Sequence, residues 1–173
     1  MITRNLILSF LIVLPMLAFG GEKKDKYTIV EVGQPAPEFT YIKDDTLSLK
    51  SSDLKGKVIL VNFFAFWCPP CKKELPRLES DIWSKHKDDE NFEMLVVGRG
   101  QTSKEIKIFF KERGYSLPYS PDTDKKIFEV FAKDIIPRSY VIDKNGIVVH
   151  QALGFNEEDF KKMVMVVDSL LMK

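Results

Sequence analysis

Two hydrophobic periodicities alternate along the chain and mark out its elements. Val58 to Phe66 is a continuous apolar run broken only by Asn62, which suits a central strand covered on both faces of a sheet. Directly after it, Cys71, Leu75, Leu78 and Ile82 repeat at helical spacing. Pro69 or Pro70 can occupy the first turn of that helix, where a missing N–H costs nothing. Phe92 to Gly98 reads as a second strand. Thr102-Ser103-Lys104-Glu105 has the form of a capping box. The helix behind it has Ile106, Phe109 and Phe110 as a buried stripe and Gly114 as its stop. Tyr115 to Pro121 is expected to be a loop, and Asp124 to Ala132 a short helix. Arg138 to Asp143 and Ile147 to Ala152 flank Asn145-Gly146, a strong hairpin signal. From about Glu157 a closing helix sets Phe160, Met163, Val164, Val167, Leu170 and Leu171 on one side.

The N-terminal part is patterned differently. Arg4 gives a positive start, Leu6 to Phe19 is almost wholly apolar, and Ala18-Phe19-Gly20 places small residues where a signal peptidase reads. The apolar run is short for a membrane span of about 20 residues. Residues 1–20 are therefore expected to be a cleaved signal, with an uncleaved anchor as the alternative. Residues 21–30 begin Lys-rich and without periodicity and are assigned to a charged linker, leaving 31–173 as one domain. Within it, Val32 to Leu54 holds short extended stretches broken by Pro35, Pro37 and Lys43-Asp44-Asp45. The order is thus an extended extension, then strand, helix, strand, helix, hairpin and helix, which is an α/β pattern.

Composition narrows the function. Hydrophobic residues make up 45% and charged residues 29% of the 173, the balance of a globular protein. The formal net charge is +1, from 26 basic and 25 acidic residues, and no long block of one sign occurs. Nothing here favours nucleic acid as a partner. Only two cysteines are present, both within one four-residue motif, so they do not staple distant parts of the chain. An export signal would place them in an oxidising compartment, where a paired thiol is kept reduced by another protein.

Cys68-Pro69-Pro70-Cys71 is a Cys-x-x-Cys pair at a helix start. The first thiol sits where the macrodipole and free N–H groups favour a thiolate. The second lies one turn on, close enough to attack a mixed disulfide and release product. Cys68 is thereby the attacking thiol and Cys71 the resolving one. Half a zinc site has the same spacing, but zinc takes four ligands, and only His86 and His150 are added, neither at ligand spacing. Two inert buried cysteines are a further alternative, set against a strand-to-helix junction flanked by Trp67 and two prolines.

Val61 to Pro76, with Trp67-Cys68-Pro69-Pro70-Cys71-Lys72-Lys73-Glu74 at its centre, resembles the active-site segment of TlpA/ResA-type extracytoplasmic thioredoxins. Val32 to Phe39 and Ile136 to Asp143 resemble that family's opening segment and its proline loop. The resemblance covers roughly residues 30–172. It implies a thioredoxin-like fold, with a central mixed sheet flanked by helices and no cofactor. It also implies reduction of protein disulfides outside the cytoplasm with electrons from a membrane thiol carrier. A peroxidatic cysteine would have Thr or Ser three residues earlier and Pro seven earlier, where this chain has Ala65 and Val61. The Pro-Pro dipeptide departs from many relatives.

The resemblance also suggests roles. Cytoplasmic thioredoxins have a buried Asp six residues before the first cysteine, and here that position is Asn62. Glu74, three residues after Cys71, is implied to deprotonate Cys71 instead. The alternative is a solvated pair with Arg77 or Lys73. Pro137 is implied to be cis, with Ile136 offering its backbone to an extended substrate strand. Trp67 and Pro70 would line the same groove, Trp67 shielding the thiols unless it is a core residue. Arg99 and Arg138 would lie at its rim or be ordinary surface arginines. Oxidase or isomerase activity, and a non-catalytic sensor or partner-binding module, are the competing functions.

Overall fold

The computed structural model describes residues 25–172 apart from Asp44 and Thr46. The signal segment expected at residues 1–20 lies outside them.

Val58–Phe64 (β3) is buried along its whole length, because it is the middle strand of five. Its side chains alternate between two apolar clusters, as a pleated strand requires. Val58, Leu60 and Phe64 enter one, and Ile59, Val61 and Phe63 the other. Phe92–Arg99 (β4) pairs parallel with β3, and Arg138–Ile142 (β6) pairs antiparallel on its other side. Tyr119–Asp122 (β5) extends the sheet parallel to β4, and Val148–Leu153 (β7) extends it antiparallel to β6. The sheet order is β5-β4-β3-β6-β7. Before it, Thr40–Lys43 (β1) and Leu47–Lys50 (β2) form a separate antiparallel pair.

Pro69–Leu78 (α1) follows β3 and buries Cys71, Glu74, Leu75 and Leu78. Pro76 removes one N–H from its ladder, and the helix widens into a π-type turn over Glu79–Trp83 before Ser84–His86 (α2). Ser103–Arg113 (α3) and Glu157–Leu171 (α5) join α1 over the first cluster. The capping box at Thr102 and Glu105 forms as predicted, and Gly114 ends α3 at φ 70°, a left-handed conformation glycine takes without penalty. Gly98 allows α3 to approach β4, since a Cβ there would lie 2.5 Å from Ile106 Cδ1. Over the second cluster lies Lys126–Phe131 (α4), with Phe63 packed edge-on to Phe128 at 5.2 Å between ring centres. Among the described residues no helix is long and apolar enough to cross a membrane.

Two expectations are corrected. The loop expected over Tyr115 to Pro121 contains β5, an outer strand too short and polar to show a period; Pro121 is tolerated there because no central ladder needs its N–H. Residues 25–30, assigned to a linker, are packed on the domain. Val30 is buried in the second cluster, and the Ile29 and Val30 N–H groups donate to the Phe131 carbonyl. Lys133 N–H donates to the Tyr27 carbonyl, and Asp25 pairs with Arg138 at 2.9 Å. The segment looked like a tether because its partners lie more than a hundred residues away.

Candidate active site

β3 delivers the chain to Cys68, which is the N-cap of α1 in extended conformation at φ −83° and ψ 111°. Cys68 and Cys71 form a disulfide with Cα atoms 5.3 Å apart. Pro69 and Pro70 fill the first two helical positions and have no N–H to give. The N–H of Cys71 is accordingly the donor that reaches the Cys68 sulfur, at 3.3 Å. Cys71 is fully buried, and Cys68 is 3% exposed.

The loop before β6 closes over the first sulfur. The Ile136–Pro137 bond is cis, as the resemblance implied. The Ile136 carbonyl oxygen lies 3.7 Å from Cys68 Sγ, within reach of a thiol proton once the disulfide is opened. Ile135, just before, has φ 69°, a conformation that a β-branched residue adopts only under constraint from its surroundings. Trp67 is 58% exposed, so the core alternative for it is overturned and its ring stands at the surface next to the pair. Pro70 is half-buried beside it.

Glu74 is not a solvated partner of Arg77 or Lys73. Arg77 binds Asp81 and Glu157, whereas Glu74 is 2% exposed on the face of α1 that carries Cys71. Asn62 Nδ2 donates to its Oε2 at 2.9 Å, and Ser139 Oγ donates to its Oε1 at 3.3 Å. Burial pushes the carboxyl up to about 7, against the opposing pull of those two bonds. A carboxyl of that strength can take a proton from a thiol and return it near neutral pH.

Neither arginine is a simple rim group. Arg138 is 1% exposed, pointing away from the thiols to Asp25, Thr28 and Tyr140, because adjacent strand residues face opposite sides of the sheet. This corrects both expectations for it. Arg99 lies over the Phe128 ring at 4.5 Å and reaches Asp134 at 3.3 Å. Sequence reasoning passed over Ser139 and saw in Asn62 only an absent Asp. The signal was the polar residue inside β3, since a buried amide requires partners.

These positions have one chemical competence, a two-electron exchange in which a thiol pair opens and recloses. The class is therefore the thioredoxin-like thiol–disulfide oxidoreductases. Comparison with known proteins narrows it. Residues 31–168 match the Redoxin family. The thiol-disulfide oxidoreductase ResA of Bacillus anthracis is 31% identical over 125 residues, covering 72% of this chain and 71% of ResA. ResA of Bacillus subtilis is 30% identical, covering 72% and 69%. A solution structure from Bacteroides thetaiotaomicron, described as a protein disulfide isomerase, superposes with a TM-score of 0.81 at 34% identity, covering 85% of this chain and 94% of that one. The chain belongs to the Redoxin family and, within it, to the TlpA/ResA-like thioredoxins.

The burial order makes a first prediction. After reduction Cys68 is alkylated well before Cys71, because only Cys68 has any exposed surface. A mass-spectrometric time course reads this directly, and faster labelling of Cys71 reverses the two roles.

Proposed function

We propose that the protein reduces disulfides in other proteins outside the cytoplasm and is itself recharged by a thiol carrier in the membrane. The export pattern of residues 1–20 supports the compartment, and kinship with the ResA oxidoreductases supports the chemistry. In the reduced protein the Cys68 thiolate attacks a substrate disulfide, and one substrate sulfur leaves as a thiolate. Cys71 gives its proton to Glu74 and attacks Cys68 Sγ. The bond between Cys68 and the substrate breaks with its electron pair on the second substrate sulfur. The substrate has gained two electrons, and the Cys68–Cys71 disulfide has formed. Trp67, Pro70, Ile136 and Pro137 border the pair, where an extended substrate segment would lie.

The observation that carries the reducing direction is that, among the described residues, the Cys71 N–H is the backbone donor at the Cys68 sulfur. A thiolate at a helix start is held by N–H groups of the first turn and by the dipole. Two prolines remove most of the former, and neither brings a positive charge. Cys68 is expected to titrate near about 7, as in thioredoxin, rather than near the value of about 3.5 in the strongest oxidant of the class. A less stabilised thiolate is a less stabilised reduced form, so the couple lies well below about −120 mV. A dithiothreitol or glutathione redox titration, with thiolate absorbance followed against pH, tests this. A potential near that of the strong oxidant, or a Cys68 pKa below about 5, would replace reduction by oxidation or isomerisation.

A further inference from the structure

Asn62, Glu74 and Ser139 come from β3, α1 and β6 and close into a ring beneath the disulfide-bearing face of α1. Asn62 and Ser139 are directly opposite each other in the β3–β6 register. Both Asn62 and Ser139 are fully buried. The Asn62 amide nitrogen donates twice, to Glu74 Oε2 at 2.9 Å and to Ser139 Oγ at 2.9 Å. The Ser139 hydroxyl, having accepted that bond, donates its own proton to Glu74 Oε1. Each carboxyl oxygen therefore has one donor, and the two donors are themselves joined. The Asn62 carbonyl oxygen is buried without a hydrogen bond among the described residues, so the amide is oriented by its donor side.

Three elements meet in this ring, and a buried polar network is costly unless every member is satisfied. We infer that Asn62 and Ser139 are positioning residues for the resolving step, clamping both oxygens of Glu74 so that its carboxylate stays available as a base on the Cys71 side of α1. The inference rests on the proton-accepting role proposed for Glu74. Both bonds are donated to the carboxylate and favour the ionised form, whereas burial opposes it. Asn62 from β3 and Ser139 from β6 face Glu74, Cys71 is buried on the same helix, and among the described residues no charged side chain contributes to the acidity of Glu74.

The test is a carbon-13 titration of the Glu74 carboxyl in the oxidised protein, where the cysteines do not titrate, paired with the pH dependence of single-turnover resolution. The parent midpoint is expected at about 7. Ser139→Ala is expected to raise it by about one pH unit, since a hydrogen bond to a charged group is lost. Ser139→Thr, which keeps the hydroxyl, restores it, and Asn62→Ala shifts it in the same direction from the other oxygen. Resolution then slows about tenfold near pH 6.5, where a unit's shift removes most of the base form, and recovers at pH 9. A purely structural role lowers the rate equally at both pH values. Unshifted midpoints in Ser139→Ala and Asn62→Ala overturn the inference. If Glu74→Gln resolves at the parent rate, the underlying role of Glu74 fails instead, whatever the midpoints show.

Discussion

Cys71→Ser is expected to abolish multiple turnover and to leave substrate covalently held on Cys68. The attacking sulfur is untouched in this variant, at the N-cap of α1 with the residue-71 N–H still in place. The first exchange therefore proceeds. A serine hydroxyl has no thiolate to offer near neutral pH, so the mixed disulfide is not resolved. Turnover falls by roughly a thousandfold or more, as when one member of a catalytic unit is lost. The side-chain change is nearly isosteric, although a hydroxyl in this fully buried position costs about 1–3 kcal/mol if it finds no partner. Non-reducing gels and mass spectrometry of the purified variant read the adduct, and the captured protein identifies a substrate. Cys68→Ser captures nothing. An adduct on Cys68→Ser and none on Cys71→Ser would exchange the roles of the two cysteines.

The second large effect is on pH. The Glu74 carboxyl has its folded-state pKa raised from 4.5 to about 7 by burial. The unfolded chain therefore releases this proton earlier than the folded one. The contribution of Glu74 to stability is whole below about pH 4.5 and is lost as the pH rises through 7. A raise of that size corresponds to a loss on the order of 3 kcal/mol. Glu74→Gln keeps the shape and removes the titration. Urea unfolding of the oxidised proteins is expected to show the parent weakening between pH 5 and pH 8 and the variant holding steady, so that the variant is the more stable at pH 8. Its turnover falls in the opposite sense, by about a hundredfold, the lower range for loss of a general base. A stabilised protein with impaired resolution distinguishes a buried base from a surface carboxylate. Parallel stability curves for the two proteins would sink this account of Glu74.

Much of the candidate site was legible because its chemistry is local. Cys68 and Cys71 are one helical turn apart, and the prolines between them dictate where the helix can begin and which N–H reaches sulfur. Glu74 was placed on the right helix, but its partners were not legible, since spacing along α1 does not reveal that β3 and β6 supply polar groups to that face. Pro137 and Ile136 were placed by resemblance alone, 65 and more residues from the cysteines they approach. Arg138 was misread for a related reason. One position along β6 separates it from Ser139, and that single step sends the two side chains to opposite sides of the sheet.

By itself the sequence determined the elements with strong local signals: the apolar run of β3, the capped helix α3, the Asn145-Gly146 hairpin and the thiol pair at the start of α1. Each is encoded by neighbours within a turn or two, where backbone geometry leaves few choices. Only the tertiary structure decided which elements meet. It packed residues 25–30 against α4, made β5 from a polar stretch, and brought Asn62 to Ser139 across 77 positions and Asp25 to Arg138 across 113. Those pairings depend on sheet order and register, which burial of both clusters selects for the chain as a whole. No short window of residues contains that information, because the free energy that chooses the register belongs to all five strands together.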